Sequence, residues 1–288
     1  MTFQPVRLVL DYVNRCLSLI ETLAESPGPV ALRALAERLE LPKSATHRLL
    51  QSLLDRGYVE QDPVSQGYAL SLKVALLGFR YLDARGLPDV AQGALDRLAE
   101  ASSEYCRMAI VAGDELIWIA RAQGATLGLR YDPPMGRDVV LHATATGKAW
   151  LATLPEETAL RIVCARGFTT PPGFGTRAVK TIDELRAHLA ATRGRGYASA
   201  VEEGEPGTVA LAAAFRAFDS PDAPVAGTVS IAGPQVRLGA ERVAELAPRL
   251  LATAHEISAL WPLRQRRALA PDRAPLPSHE RQLAASTT

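Results

Sequence analysis

Between Asp11 and Ala24 the apolar residues Val13, Leu17, Ile20 and Leu23 recur at helical spacing, and Ser26-Pro-Gly-Pro29 ends the pattern. They predict a first helix. Leu32, Leu35, Ala36 and Leu39 predict a short second helix; Glu40-Leu41-Pro42 interrupts it, and the period resumes from Lys43 to Arg56, Pro42 being suited to a helix start. Two short helices thus meet at a tight turn. The segment from Tyr58 to Leu70 sets Pro63 to Gly67 between two extended pieces, the mark of a β-hairpin. Three helices and a hairpin describe a winged helix over residues 1–70.

Residues 71–102 are helical in pattern, with a break expected at Gly86-Leu-Pro88, and read as a connecting helix pair. Extended runs at Met108–Ala112, Leu116–Arg121 and Thr126–Tyr131 then alternate with glycine-containing turns. Helical stretches follow at 147–166 and 182–193, extended runs at 208–218 and 225–232, and a last helix at 239–261. Residues 103–263 are expected to form an α+β domain around a mainly antiparallel sheet, which makes the fold class a two-domain α/β chain. The tail 264–288, rich in Arg, Pro, Ala and Ser, has no apolar period and is expected to be disordered.

Composition narrows the class without naming it. The 288 residues suffice for two domains with separate cores, and 48% apolar with 22% charged residues is globular. No apolar run reaches the ~18 residues that span a bilayer, and the first residues lack the succession of a secretory signal. No membrane partner is therefore expected, and the location expected is cytoplasmic. Cys16, Cys106 and Cys164 are too few and too scattered for a disulfide framework and read as small buried or half-buried apolar residues; no Cys/His cluster or fingerprint implies a metal or cofactor. Net charge is +1, and residues 1–82 hold nine Lys/Arg against eight Asp/Glu. Charge gives no sign of nucleic acid, so that reading must rest on local pattern.

That pattern lies in the third helix. Laid out at 100° per residue, Leu49, Leu50, Leu53 and Leu54 fall on one side and Ser44, His47, Arg48, Gln51 and Asp55 on the other, with Lys43 at the edge and Thr46 on the buried side. An amphipathic surface helix has the same wheel, but the short helix before it, the tight turn and the hairpin after it are what present a helix to a major groove. Arg can bond guanine O6 and N7 together, Gln can do the same at adenine, and Lys, Ser and His can hold phosphates or bases near the helix start. Lys43, Ser44, His47, Arg48 and Gln51 are the candidate DNA-contacting residues.

Leu41-Pro-Lys-Ser-Ala-Thr-His-Arg-Leu-Leu50, Gly57-Tyr-Val59 and the Asp62-Pro63 wing resemble the DNA-binding domain of the IclR (isocitrate lyase regulator) family of transcription factors. The resemblance continues through Gly113-Asp114, His142-Ala-Thr-Ala-Thr-Gly-Lys-Ala149, Gly196-Tyr197, Glu202-Glu203, Gly207 and Ala232-Gly-Pro234, and spans about residues 10–261. It implies a GAF-like effector-binding domain after the reader, with ligand contacts from a helix start, a loop after the Gly-Tyr pair and the last two strands. Carried over position by position, the effector candidates are Ala145, Thr146, Ala200, Ala210, Ser230 and Ala232. Family members that bind very small oxo-acids are expected to carry Asp, Cys and Ser where this chain has Ala200, Ala210 and Ala232. Three lost polar groups favour a larger, partly apolar acid, aromatic or branched, anchored at one end.

Independently of the resemblance, the small residues from His142 to Gly147 precede a helix, and exposed N–H groups there suit a carboxylate. A capped helix start packed closely on a sheet fits the same residues equally well. A Walker-type phosphate loop is excluded, because His142 and Ala149 stand where Gly and Ser/Thr are needed. Trp118, Trp150 and Met108 are candidate apolar walls or simple core, and Arg121 and Arg130 are candidate carboxylate partners or solvated charges. The alternative class is a small-molecule enzyme with His142 as base and Glu202 or Glu203 as acid. The chain lacks a nucleophile elbow, metal spacing and a dinucleotide fingerprint, and paired Glu in a Gly- and Pro-containing loop reads as solvated surface. The expectation is a ligand-responsive repressor of a catabolic operon, acting on double-stranded DNA at a near-palindromic operator. A homodimer is expected because one helix-turn-helix touches too few base pairs to select a site, and the resemblance implies a dimer of dimers through the sensor domains.

Overall fold

A computed structural model describes the chain over residues 4–84 and 89–263. The break expected at 86–88 and the tail at 264–288 lie outside the described residues. The chain divides into two compact units, Met1–Leu82 and Asp83–Thr288.

The first unit runs α1 (Gln4–Ala24), α2 (Leu32–Arg38), α3 (Lys43–Asp55), β1 (Val59–Gln61), β2 (Tyr68–Leu70) and most of α4 (Leu72–Ala84). The turn between α2 and α3 closes because Glu40 takes a left-handed φ of 52° and the Leu41 N–H returns to the Ala36 carbonyl at 2.9 Å. Pro42, extended at ψ 140°, then caps α3, its carbonyl accepting from Ala45 and Thr46. β1 and β2 pair antiparallel with Val59 opposite Leu70, and Val30 adds a bridge to Tyr68. At the wing tip the Asp62 carboxylate accepts from the backbone of Val64 and Ser65 and from the Ser65 hydroxyl; these bonds favour the ionised form and hold its pKa below the usual carboxylate value. The core joins Leu19, Leu23, Leu35, Leu50, Leu53, Val59 and Tyr68.

The apolar stripe of α1 is not all turned to the core. Val13 and Leu17 are exposed at 48% and 52%, while the core side runs through Leu19 and Leu23 with Ile20 half-buried. The helix is apolar on two sides, so periodicity alone did not select the side that meets α2 and α3.

The second unit runs α5 (Asp89–Ser102), β3 (Tyr105–Ala112), β4 (Glu115–Gln123), α6 (Ala145–Leu151), α7 (Glu156–Arg166), α8 (Ile182–Arg195), β5 (Ala198–Val201), β6 (Thr208–Arg216), β7 (Val225–Pro234) and α9 (Ala240–Leu260). The strands form one antiparallel sheet in the order β4-β3-β7-β6-β5. α5 and α9 pack together against the sheet, where Phe215 of β6 meets Trp261 edge to face at 4.9 Å. α6 contacts β5, β6 and β7, with α8 packed against it. α5, read from the sequence as half of a connecting pair, thus packs inside the second unit.

Four further readings are corrected. Thr126–Tyr131 is irregular rather than a strand: its residues alternate like one, but Gly128 turns to φ +75° and no strand pairs with the segment. The single helix expected at 147–166 is two, α6 beginning at Ala145 and α7 after Pro155, which has no N–H to continue a helix. The loop expected after Gly196-Tyr197 is the edge strand β5. Of the cysteines, Cys106 is buried and Cys16 intermediate, but Cys164 is exposed, against the expectation that all were sheltered. Among the described residues no helix is long and apolar enough to cross a membrane.

Candidate nucleic-acid interface and ligand site

The third helix divides its residues as the wheel requires. Lys43, Ser44, His47, Arg48 and Gln51 are all exposed, and Thr46, Leu49, Leu50 and Leu53 are buried against the first unit's core. Pro42 fixes where the helix begins, so Lys43 and Ser44 stand at its positive end, where phosphates are favoured. Arg48 and Gln51 lie one turn further along the same side. The Gln51 amide donates to Asp55 at 2.8 Å, which orients it, and Ser52 donates to the Arg48 carbonyl while sharing a hydrogen bond with the Tyr12 hydroxyl at 2.8 Å. α3 is thereby tied to α1 at a part of its surface that also holds Arg48 and Gln51.

In the second unit, sheet register collects the effector candidates. Ala200, Ala210 and Ala232 stand opposite one another across β5, β6 and β7, and Tyr105 of β3 extends the row. The adjacent row is Ala198, Ala212, Ser230 and Arg107. Directly opposed residues share a face, and α6 lies on this one: Ala145 and Ala149 pack with Ala198, Ala200 and Ala212, with Ala210 at the margin. Thr146 is buried on the same helix and Ser230 is 4% exposed. The helix start is already served by the chain, since the Thr144 hydroxyl accepts from the Gly147 N–H at 3.1 Å. Gly147 is required there: a Cβ would lie 2.3 Å from the Leu141 carbonyl oxygen.

Two groups near this face carry chemistry the sequence did not locate. Lys148, 0% exposed, places Nζ 2.7 Å from both oxygens of Glu203 and 3.0 Å from His188 Nδ1. Burial pushes the lysine pKa down and the Glu203 pKa up, while their mutual attraction opposes both shifts. Glu203 is therefore a buried ion-pair partner, correcting its reading as solvated surface. Burial, with the Lys148 charge adding to it, also lowers the pKa of His188. His142 is buried, its ring 5.3 Å from that of Phe168 and its Nε2 without a hydrogen-bond partner; burial lowers its pKa too. Glu202, at φ 54°, is ion-paired with Arg177 at 3.6 Å.

The second group is Arg107, whose guanidinium lies 3.8 Å from the centre of the Trp118 ring and 5.5 Å from that of Tyr105. Its only sequence signal is a lone charge between Cys106 and Met108 in an otherwise apolar strand. The arginines singled out instead, Arg121 and Arg130, are 54% and 49% exposed and share Asp132 at 3.6 Å each. Met108 alternates to the opposite face of β3 and so cannot wall this site, and Trp150 belongs to the core with Leu141, Val163 and Leu185.

Residues 13–63 match the family described as the IclR helix-turn-helix domain, and residues 79–259 that described as bacterial transcriptional regulator IclR C-terminal. The chain is 34% identical to the transcriptional repressor IclR of Escherichia coli K12 over 248 residues, 85% of this chain and 88% of that protein. It is 31% identical to the acetate operon repressor of Salmonella typhimurium LT2 over 259 residues, 89% and 92% of the two. A solved IclR homologue from Microbacterium hydrocarbonoxydans, complexed with 4-hydroxybenzoate, shares the fold with a TM-score of 0.70 at 21% identity, covering 87% of this chain and 98% of its own.

Proposed function

The chain belongs to the IclR family of bacterial transcriptional regulators, DNA-binding proteins rather than enzymes, and we propose that it represses a catabolic operon until a small organic acid binds its second unit. The observation that carries the reading is the division of α3, with Lys43, Ser44, His47, Arg48 and Gln51 exposed along a helix whose other side is fixed in the core. Residues 1–70 are assigned to operator recognition and residues 103–263 to the effector. Ala145, Thr146, Ala200, Ala210, Ser230 and Ala232 are assigned to the ligand. The alanine row favours an acid with an apolar, aromatic body, and the fold neighbour's complex with 4-hydroxybenzoate supports that class.

The reader is proposed to work as a homodimer on a near-palindromic operator. Tyr12, Val13 and Leu17 on α1 and Leu76, Leu77 and Phe79 on α4 are exposed apolar residues of the kind a second copy covers. An effector alters DNA affinity only by preferring one arrangement of that assembly, so its action is a coupling energy between ligand and operator. Binding of the full chain to the region upstream of its gene, read by fluorescence anisotropy, tests the reader. Arg48→Ala is expected to cost about 1–3 kcal/mol on the cognate operator and less on random DNA. An equal loss on both reduces Arg48 to a phosphate contact, and no binding by the wild type to any upstream fragment refutes the assignment.

A further inference from the structure

Most cations among the described residues of the second unit find acceptors. Lys148 has Glu203, Arg237 holds the buried Glu104 with two bonds at 2.6 and 2.7 Å, and Arg193 and Arg216 donate to backbone carbonyls. Among the described residues the Arg107 guanidinium has neither an ion pair nor a hydrogen bond: its Nε is buried without an acceptor, and aromatic rings are its close neighbours. The carboxylates nearby are committed elsewhere, Glu205 to Arg137 at 2.8 Å and Asp132 to Arg121 and Arg130. Arg107 is half-buried, and a charge drawn partly out of water is ordinarily paired, because desolvating an ion without a counter-charge is costly. A ring face offsets part of that cost but offers no acceptor for the planar N–H fork.

The position of this unmet fork is informative. Arg107 stands directly opposite Ser230, in the row beside Ala210 and Ala232, and the Ser230 hydroxyl donates to the Arg107 carbonyl at 3.4 Å. It therefore shares one sheet face with Ser230 and Ala232 on the next strand, Ala210 two strands away and Ala200 three. Tyr105 and Trp118 flank it, and Tyr131 lies edge-on to Tyr105 with ring centres 6.0 Å apart. The polar groups missing from the alanine row are replaced here by one cation set among rings.

We propose that Arg107 is the anion-binding residue of the effector site, taking the ligand carboxylate on its guanidinium fork while the apolar body lies toward Ala210, Ala232 and the tyrosines. This rests on the reading of the second unit as an organic-acid sensor, and it moves the anchor from the start of α6 to β3. The ligand class that follows is a monocarboxylate with a ring or branched body. A very small oxo-acid would satisfy Arg107 but offer no apolar body to Ala210, Ala232 and the tyrosines, and a neutral aromatic amide would offer the body but leave the cation unpaired.

Calorimetry on the full chain with benzoate, benzamide and glyoxylate tests this, using wild type, Arg107→Gln, Arg107→Lys and Arg121→Gln. Wild type is expected to bind benzoate at least about tenfold more tightly than benzamide or glyoxylate, one factor of ten being about 1.4 kcal/mol. Arg107→Gln is expected to lose that preference over benzamide while still melting, without ligand, no lower than wild type, since it sheds an unpaired charge. Arg107→Lys keeps part of the preference, and Arg121→Gln keeps all of it. Benzoate binding by Arg107→Gln at wild-type affinity overturns the anchor and leaves the organic-acid reading standing. Lost binding together with a lower melting temperature makes Arg107 a packing residue and also overturns it. If wild type binds neither benzoate nor glyoxylate, the organic-acid reading itself falls and the anchor with it.

Discussion

Lys148 and Glu203 offer the sharpest test of how the sensor is held together. The pair joins α6 to the turn after β5, with side chains 1% and 5% exposed and Nζ 2.7 Å from Glu203 Oε1. At an effective dielectric of ~20 the attraction at that separation is about 6 kcal/mol. Desolvating each ion costs several kcal/mol, so the intact pair contributes little net stability. Removing one partner is different, because it leaves a charge in a place water does not reach. Lys148→Met or Glu203→Met alone should destabilise the second unit by about 3–5 kcal/mol, and the double Met variant by far less than the sum of the two. Urea unfolding monitored by tryptophan fluorescence gives all four corners of the cycle. In Lys148→Met the deficit should shrink on acidification, because burial already raises the Glu203 pKa and a protonated carboxyl needs no counter-ion. A single-variant loss below ~1 kcal/mol, or a double variant that loses the full sum, would refute a coupled buried pair.

Two further outcomes are expected. Gly147→Ala should cost at least ~2 kcal/mol and impair effector binding, because the added methyl meets the backbone of Leu141 at 2.3–2.4 Å and α6 must move off the sheet; a wild-type melting curve would contradict the packing described. Stability should fall at alkaline pH, since burial raises Cys106 from 9.0 and Tyr131 from 10.0, each to about 12. Both keep their protons in the folded state beyond the pH at which the unfolded chain releases them. Their contribution is therefore whole below pH ~9 and lost as pH rises toward ~12. Urea midpoints between those values should fall for wild type and fall less for Cys106→Ala, and a flat profile would contradict the burial of both groups.

The reader was legible from sequence because its determinants are local. Pro42 fixes the start of α3, the leucines fix its buried side, and Pro63 to Gly67 fix the wing, so each choice is made within a few residues. Where a choice depended on a distant partner, pattern failed. α1 carries apolar residues on two sides, and only its contacts decide that Leu19 rather than Val13 is buried. β5 is Ala-Ser-Ala-Val, four residues with little strand preference, and becomes a strand because β6 offers an edge. Thr126–Tyr131 has the better strand pattern but no strand beside it. The proposed ligand site divides the same way: its alanines were nominated by resemblance, whereas the case for Arg107 lies in an absent counter-charge, which is a property of the assembled sheet.

That difference bears on how a sensor of this family changes its ligand. Register fixes which residues face α6, so a substitution at 200, 210 or 232 alters the floor without disturbing the sheet; alanine there removes polarity at small cost, because the backbone hydrogen bonds run between strands regardless of side chain. A charge cannot be added so freely. Arg107 is tolerated because Trp118 covers one face of its guanidinium and because β3 is flanked on both sides by other strands, which holds the side chain in position before any ligand arrives. Placing a carboxylate on the floor, as in Ala232→Asp, should therefore do more than repel an acid. On β7, about one strand spacing from β3, the new carboxylate can pair with Arg107 from within the protein, satisfying the fork and stabilising the unliganded state. Such a variant should melt higher than wild type and lose its response to carboxylates. A lower melting temperature would mean that the two side chains do not share the space their register implies.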